Sequence, residues 1–173
     1  VSDAAKRIGV STKSASRCFD ELEYLNIDVL GMKGKSRVIN IPNDRKQVWQ
    51  QIENVLRNPV IRRFVLREDM KLEKKAGISA LCEYSLLSDN VYPTYAVTKK
   101  ELKDSAVKVE KQVSELEEIG CVVLELGYFI DFLGKGFQDP LSVVLSLTGE
   151  EQEEERVDIS INEMLEEYVW SKD

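Results

Sequence analysis

Apolar residues recur at helical spacing from the start of the chain. Ala4, Ala5 and Ile8 share a face and predict a short helix over 3–8. Gly9 can take the positive φ that ends a helix. Val10 reads as a buried turn residue, and Ser11 suits the N-cap of a second helix over 12–24. There Ala15, Phe19 and Leu22 face a core, with Leu25 just beyond, while Lys13, Ser14, Ser16 and Arg17 lie largely on the other side. The period then changes. Ile27–Leu30 and Val38–Ile41 are rich in β-branched residues and flank Gly31-Met32-Lys33-Gly34-Lys35-Ser36-Arg37, predicting a hairpin with three cations at its tip. The first residue is not Met and the pattern has no run-in, so further sequence is expected upstream.

Pro42-Asn43-Asp44 starts a helix to about Asn58, with Val48, Ile52, Val55 and Leu56 as its stripe, Trp49 alongside, and Pro59 as its stop. Beyond it the pattern predicts a strand over 61–66, a helix over 74–87, a strand over 92–97, a helix over 107–119 stopped by Gly120, and a strand over 121–126 that could run on to Phe129. Asp139-Pro140 is an N-cap followed by proline, opening a short helix through Leu145. Gly149–Glu155 reads as an acidic surface run. A last helix over 154–169 carries Val157, Ile161, Met164, Leu165 and Tyr168 on one face. The expected fold is α+β: an N-terminal winged helix-turn-helix with a connecting helix over 1–58, then a mixed α/β domain over 59–173 for dimerisation or partner binding.

Charge sharpens this division. The net charge is -7, but residues 1–67 hold 13 Lys/Arg against 7 Asp/Glu, and the remainder holds 11 against 24. A basic first third suits DNA, although solvated faces would give the same asymmetry. No apolar run is long enough to cross a bilayer, and the start does not read as a signal peptide, so a cytoplasmic protein without membrane contact is expected. Cys18, Cys82 and Cys121 are too scattered for a metal motif or a disulfide framework, and the chain has no histidine. Histidine-based triads, dyads and metal sites are therefore excluded.

Major-groove reading needs short donors, acceptors and cations on the exposed start of a helix. Ser11, Thr12, Lys13, Ser14, Ser16 and Arg17 supply them, and Lys33, Lys35 and Arg37 supply cations for a minor groove or flanking phosphates. The plainer alternative is an amphipathic helix pair and a solvated turn. The order helix, glycine turn, Ser-capped helix, basic hairpin is more specific than any one part.

These residues, in SDAAKRIGVSTKSASRCFDELEYLNI and GKSRVINIP, resemble the winged helix of MarR-type bacterial regulators over residues 2–42. The resemblance implies a recognition helix over Ser11–Arg17, a wing at Lys35 and Arg37, and a homodimer on a two-fold related double-stranded operator. Two departures are the absent preceding helix and the acidic second half. AGISALCEYSLLSDNVYPTYAVTKKEL and DPLSVVLSL more weakly resemble AbiEi-type antitoxins, which implies operon autoregulation and a nucleotidyltransferase-type toxin as partner.

Catalysis, cofactors and metals are not expected. Glu150–Glu155 suits a helix start, and Gly134-Lys135-Gly136 lacks the spacing of a phosphate loop. A carboxylate site on Asp131 and Asp139 stays open, with nothing singling it out. Tyr84, Tyr92, Tyr95, Tyr128 and Phe129 either line a small-molecule pocket or belong to the core. A DNA-binding repressor, an antitoxin-like interaction protein and an enzyme on the acidic domain are thus the classes to separate.

Overall fold

A computed structural model describes residues 1–104, 118–131 and 133–171. The protein is α+β, with eight α-helices and two small sheets among these residues. The helix expected over 107–119 lies almost wholly outside them. The chain divides into two compact units, Val1–Leu56 and Arg57–Asp173. This boundary moves Arg57, Arg62, Arg63 and Arg67 out of the first unit. That unit then holds 9 Lys/Arg against 7 Asp/Glu, far less basic than the first third of the sequence.

In the first unit, α1 (Ser2–Ile8) and α2 (Thr12–Tyr24) meet through Gly9, whose φ of 70° closes α1. Ala5, Ala15, Phe19, Ile27, Val29 and Trp49 are the buried apolar residues among those described in this unit. Leu25 does not join this core, being 42% exposed, because the chain turns at Asn26 (φ 54°) immediately after α2. Strands β1 (Leu30–Lys33) and β2 (Ser36–Ile39) pair antiparallel, Leu30 with Ile39 and Lys33 with Ser36. The strands therefore lie closer together in sequence than expected, and the loop shrinks to Gly34-Lys35. Backbone pairing decides this, since residues 31–33 and 36–37 form ladder bonds whatever their side chains.

Helix α3 (Arg45–Ile52) is capped by Asp44, whose Oδ1 accepts from the Gln47 N–H at 2.9 Å. It ends sooner than expected, in a 3-10 turn over Glu53–Val55. Trp49 is its buried residue. Val55 (53% exposed) and Leu56 (40%) lie beyond the regular helix and do not continue the stripe.

In the second unit, a sheet of order β3-β5-β4 comprises β3 (Val60–Leu66), β4 (Thr94–Thr98) and β5 (Cys121–Leu126), with β3 antiparallel and β4 parallel to the central β5. Strand β5 stops at Leu126. Every one of its residues is buried, as expected for a central strand covered on both faces. Cys121 and Val123 pack with Leu66, Tyr95 and Val97, whereas Val122, Leu124 and Leu126 pack with Ala76 and Ala96. Glu125 interrupts the first face; its carboxylate is 2% exposed and accepts from Arg62 Nε on the neighbouring strand. Bridges from Lys75 to Tyr95 and to Phe137, and from Asp131 to Gln138, extend the hydrogen bonding beyond β4.

Helices α4 (Gly77–Tyr84), α6 (Pro140–Ser146) and α8 (Glu155–Leu165) bury Leu81, Val143, Val157 and Met164 in one cluster. Helix α4 starts later than the sequence pattern predicts because 74–76 is held in extended pairing: the Ala96 N–H donates to Lys74 O, and the Ala76 N–H to Thr94 O. Asp139 caps α6 by accepting from the Ser142 N–H at 3.1 Å. A short helix α5 (Lys99–Asp104) follows β4. The acidic run lies on the surface and contains another helix, α7 (Gly149–Glu153). A capping box between Thr148 and Glu151 starts it. The turn after α8, Glu166–Trp170, widens to π geometry. No helix among the described residues is long and apolar enough to cross a membrane.

Candidate nucleic-acid interface

The start of α2 is built by its cap. Ser11 is extended (φ -68°, ψ 149°), and its Oγ accepts from the Ser14 N–H at 3.0 Å and lies 2.9 Å from Ser14 Oγ. Ser11 and Ser14 are exposed, but both hydroxyls serve the helix end. Val10 is 42% exposed, not buried as expected, because the tight Gly9 turn leaves it on the outside. Thr12, Lys13 and Arg17 are exposed, while Ser16 is half-buried. Lys13 and Arg17 are four residues apart and so share one helix face. Neither forms an ion pair among the described residues.

The charges of α2 oppose its dipole. Lys13 occupies the first turn, where the helix end is positive. Glu21 and Glu23 occupy the last turn, where it is negative. Each such placement costs about 0.3–1 kcal/mol near a helix end, less when fully solvated. Helix α1 shows the opposite order, with Asp3 in its first turn and Lys6 and Arg7 in its last. Stability explains the cations of α1 but not Lys13.

The hairpin places its three cations differently from one another. Lys35 is in the two-residue turn, and Gly34 before it has φ 63°, where glycine is favoured. Lys33 ends β1 and is exposed. Arg37 is not at the tip. It pairs with Met32 in the ladder, one step beyond the Lys33–Ser36 pair, so the strand period turns it to the opposite face from Lys33. There its Nη1 lies 2.6 Å from Asp20 Oδ1 and 3.5 Å from Glu23 Oε2, its Nη2 donates to Ser16 Oγ at 3.1 Å, and its guanidinium stands 5.6 Å from the Phe19 ring centroid. Sequence reasoning missed Asp20 and Glu23 in this cluster. Their partner is seventeen residues away for Asp20, and no local pattern links them.

A cleft of about 350 Å³ lies beside Arg37, lined among others by Glu23, Asp28, Leu30 and Met32. Its two carboxylates make this face a poor one for phosphate. With the exposed Ser11 and Ser14 engaged in the cap, Thr12, Lys13, Arg17, Lys33 and Lys35 remain as the other exposed groups of the expected set.

No family, no curated protein and no solved structure matches this chain.

Several of the groups considered for catalysis have other occupations, although Asp139, which caps α6 through Oδ1, leaves its buried Oδ2 without a hydrogen-bond partner. Asp131 accepts from the Lys135 and Gly136 N–H groups at 3.0 Å each, fixing the glycine turn. The Tyr84 hydroxyl donates to Gln138 O at 2.8 Å, and burial raises its pKa. The Tyr95 hydroxyl donates to Asp69 Oδ1, and burial, then that bond, push it up to about 12. Both rings belong to the core, whereas Tyr128 is 42% exposed. Burial pushes the Cys82 thiol up to about 11, far from an activated nucleophile. No group of three or more metal-ligating acidic or thiol side chains occurs among the described residues.

Proposed function

We propose that the first unit is a winged helix that binds double-stranded DNA, and that the protein is a transcriptional repressor acting as a homodimer. The observation that carries this reading is the reversed charge order of α2. A lysine at the positive end of a helix weakens the helix, but it strengthens an anion site there, because free backbone N–H groups and the side chain point at the same ligand. Arg17 shares the face, and the Gly34-Lys35 turn offers a second cationic point. Thr12, Lys13 and Arg17 are the base-edge and phosphate contacts in this reading, with Lys33 and Lys35 on flanking phosphates. The MarR-type resemblance of residues 2–42 agrees with it.

The test is a fluorescence-anisotropy titration with duplex DNA from upstream of the protein's own reading frame, at several salt concentrations. Binding falls with salt, and Arg17→Ala and Lys35→Ala each reduce the slope of log K against log salt by about one. Unchanged binding in both variants overturns the assignment.

A second reading draws on the second unit. Glu83, Glu163, Glu166 and Glu167 line a cleft of about 650 Å³ between α4 and the end of α8. Such a surface suits a basic protein partner, as an antitoxin-like role requires. Co-expression with the product of the adjoining reading frame tests it. A stable complex that Glu163→Lys disrupts supports this role, and its absence removes it.

A further inference from the structure

We propose that Arg37 is a positioning residue, a latch that sets the β1–β2 hairpin against α2 and so places Lys35 on the DNA without touching it. The effect on DNA rests on the winged-helix reading; the latch itself does not.

Four contacts converge on one guanidinium, and all of them come from a single helix. Asp20 at 2.6 Å and Ser16 at 3.1 Å hold its two terminal nitrogens, Glu23 stands at 3.5 Å, and the Phe19 ring lies beneath it. Ser16, Asp20 and Glu23 follow each other at steps of four and three, which is one ridge of the helix. A planar fork bonded at both ends fixes orientation as well as distance, which an ammonium cannot do. The Arg37 side chain is 29% exposed, against 62% for Asp20 and 71% for Glu23, so the guanidinium is the shielded member of the cluster. A phosphate approaching it would meet two carboxylates first.

Beyond the half-buried Leu30 and Val38 and a 3.4 Å hydrogen bond from the Val1 amine to Arg37 O, little in the described residues fixes the hairpin's direction. Met32 and Ile39 are 65% and 48% exposed, and the hairpin pairs with no third strand among the described residues. An isolated two-stranded ribbon is marginal alone. Its register is set by the ladder, but its angle to α2 needs a side chain that reaches across. Arg37 is the residue that does so through both hydrogen bonds and a ring contact.

Electrostatics and geometry make opposite predictions for one variant. Asp20→Asn removes a negative charge close to the proposed DNA face. If Arg37 were a phosphate contact held back by Asp20, this change would free it and tighten binding. If Arg37 is a latch, the change loosens the hairpin and weakens binding.

The experiment uses the full chain with Arg37→Lys, Arg37→Ala, Asp20→Asn and the Arg37→Ala/Asp20→Asn double variant. Amide hydrogen exchange over residues 30–39 reads the latch without DNA. Exchange there accelerates about three- to tenfold in every variant, while amides around Phe19 keep their protection, which also verifies folding. Titration with the upstream duplex reads the consequence. Arg37→Lys, Arg37→Ala and Asp20→Asn each weaken binding by about fivefold, with the salt slope unchanged, because no phosphate contact is lost. The double variant is no weaker than the worse single variant, as for two members of one unit. The proposal is overturned if exchange over 30–39 stays as in the wild type. It is equally overturned if Asp20→Asn tightens binding while Arg37→Ala lowers the slope by about one. Failure of the wild type to bind duplex DNA, with exchange responding as described, removes the winged-helix reading and reduces the latch to a hairpin anchor.

Discussion

Replacing Lys13 with Glu separates stability from function in a single substitution. Lys13 is the second residue of α2, inside the first turn, with the Ser11 cap beside it. At this position a cation is unfavourable and an anion favourable, each by about 0.3–1 kcal/mol at a surface site. The exchange therefore stabilises α2 by roughly 1 kcal/mol once solvent screening is allowed for. That corresponds to about fivefold slower amide exchange in α2. The same substitution removes one phosphate contact and brings a negative charge to the DNA. The salt slope falls by about one, and affinity at moderate salt falls by roughly tenfold. Amide exchange by mass spectrometry gives the first quantity and anisotropy titration the second. The two must move in opposite directions. A loss of protection in α2 would refute the dipole reasoning. Increased protection with unchanged DNA affinity would refute the placing of Lys13 at the interface.

Two further outcomes concern the second unit. Gly120→Ala would set a Cβ 2.3 Å from Arg67 O and 2.5 Å from the Glu68 carbonyl carbon, where the backbone of β3 runs into its loop. The clash forces the central β3–β5 pair apart, and we expect a loss of about 3 kcal/mol in urea denaturation, with a loss below about 1 kcal/mol contradicting the packing argument. Glu101 is held down to about 2, first by the hydrogen bond from Lys74 and then by the Thr98 N–H. Since its folded value is depressed from 4.5, the stability it adds is present above that pH and fades as pH falls towards 2. With its side chain 44% exposed, that contribution is below about 1 kcal/mol. Glu101→Gln should lower the urea midpoint at pH 7 and leave it nearer the wild type at pH 3. An equal difference at both values would show that the carboxylate charge is not what matters.

Local signals were legible wherever a short-range rule applied. Gly9, Ser11 and Asp139 each announced a helix end, and each performs that role, because caps are contacts within three or four residues. Strand β5 was legible from its apolar, β-branched run, although Glu125 breaks it. The hairpin was legible as a hairpin but not in its register, since ladder bonds are made by backbone groups that all residues share. The start of α4 was misplaced for a related reason. Lys74 and Lys75 have good helical propensity, yet pairing with β4 and with residues 136–138 holds them extended.

For the candidate site, the sequence by itself determined the chemistry on offer: short polar groups and cations at the start of α2, and cations around Gly34. It did so because exposed charges are chosen one residue at a time. Only the tertiary structure decided how those charges are used. It put Lys33 and Arg37 on opposite faces of the hairpin, gave Arg37 to Asp20 and Ser16, and moved four arginines out of the first unit. Those outcomes depend on pairs far apart in the chain, whose distance is fixed by folding and not by spacing in the sequence.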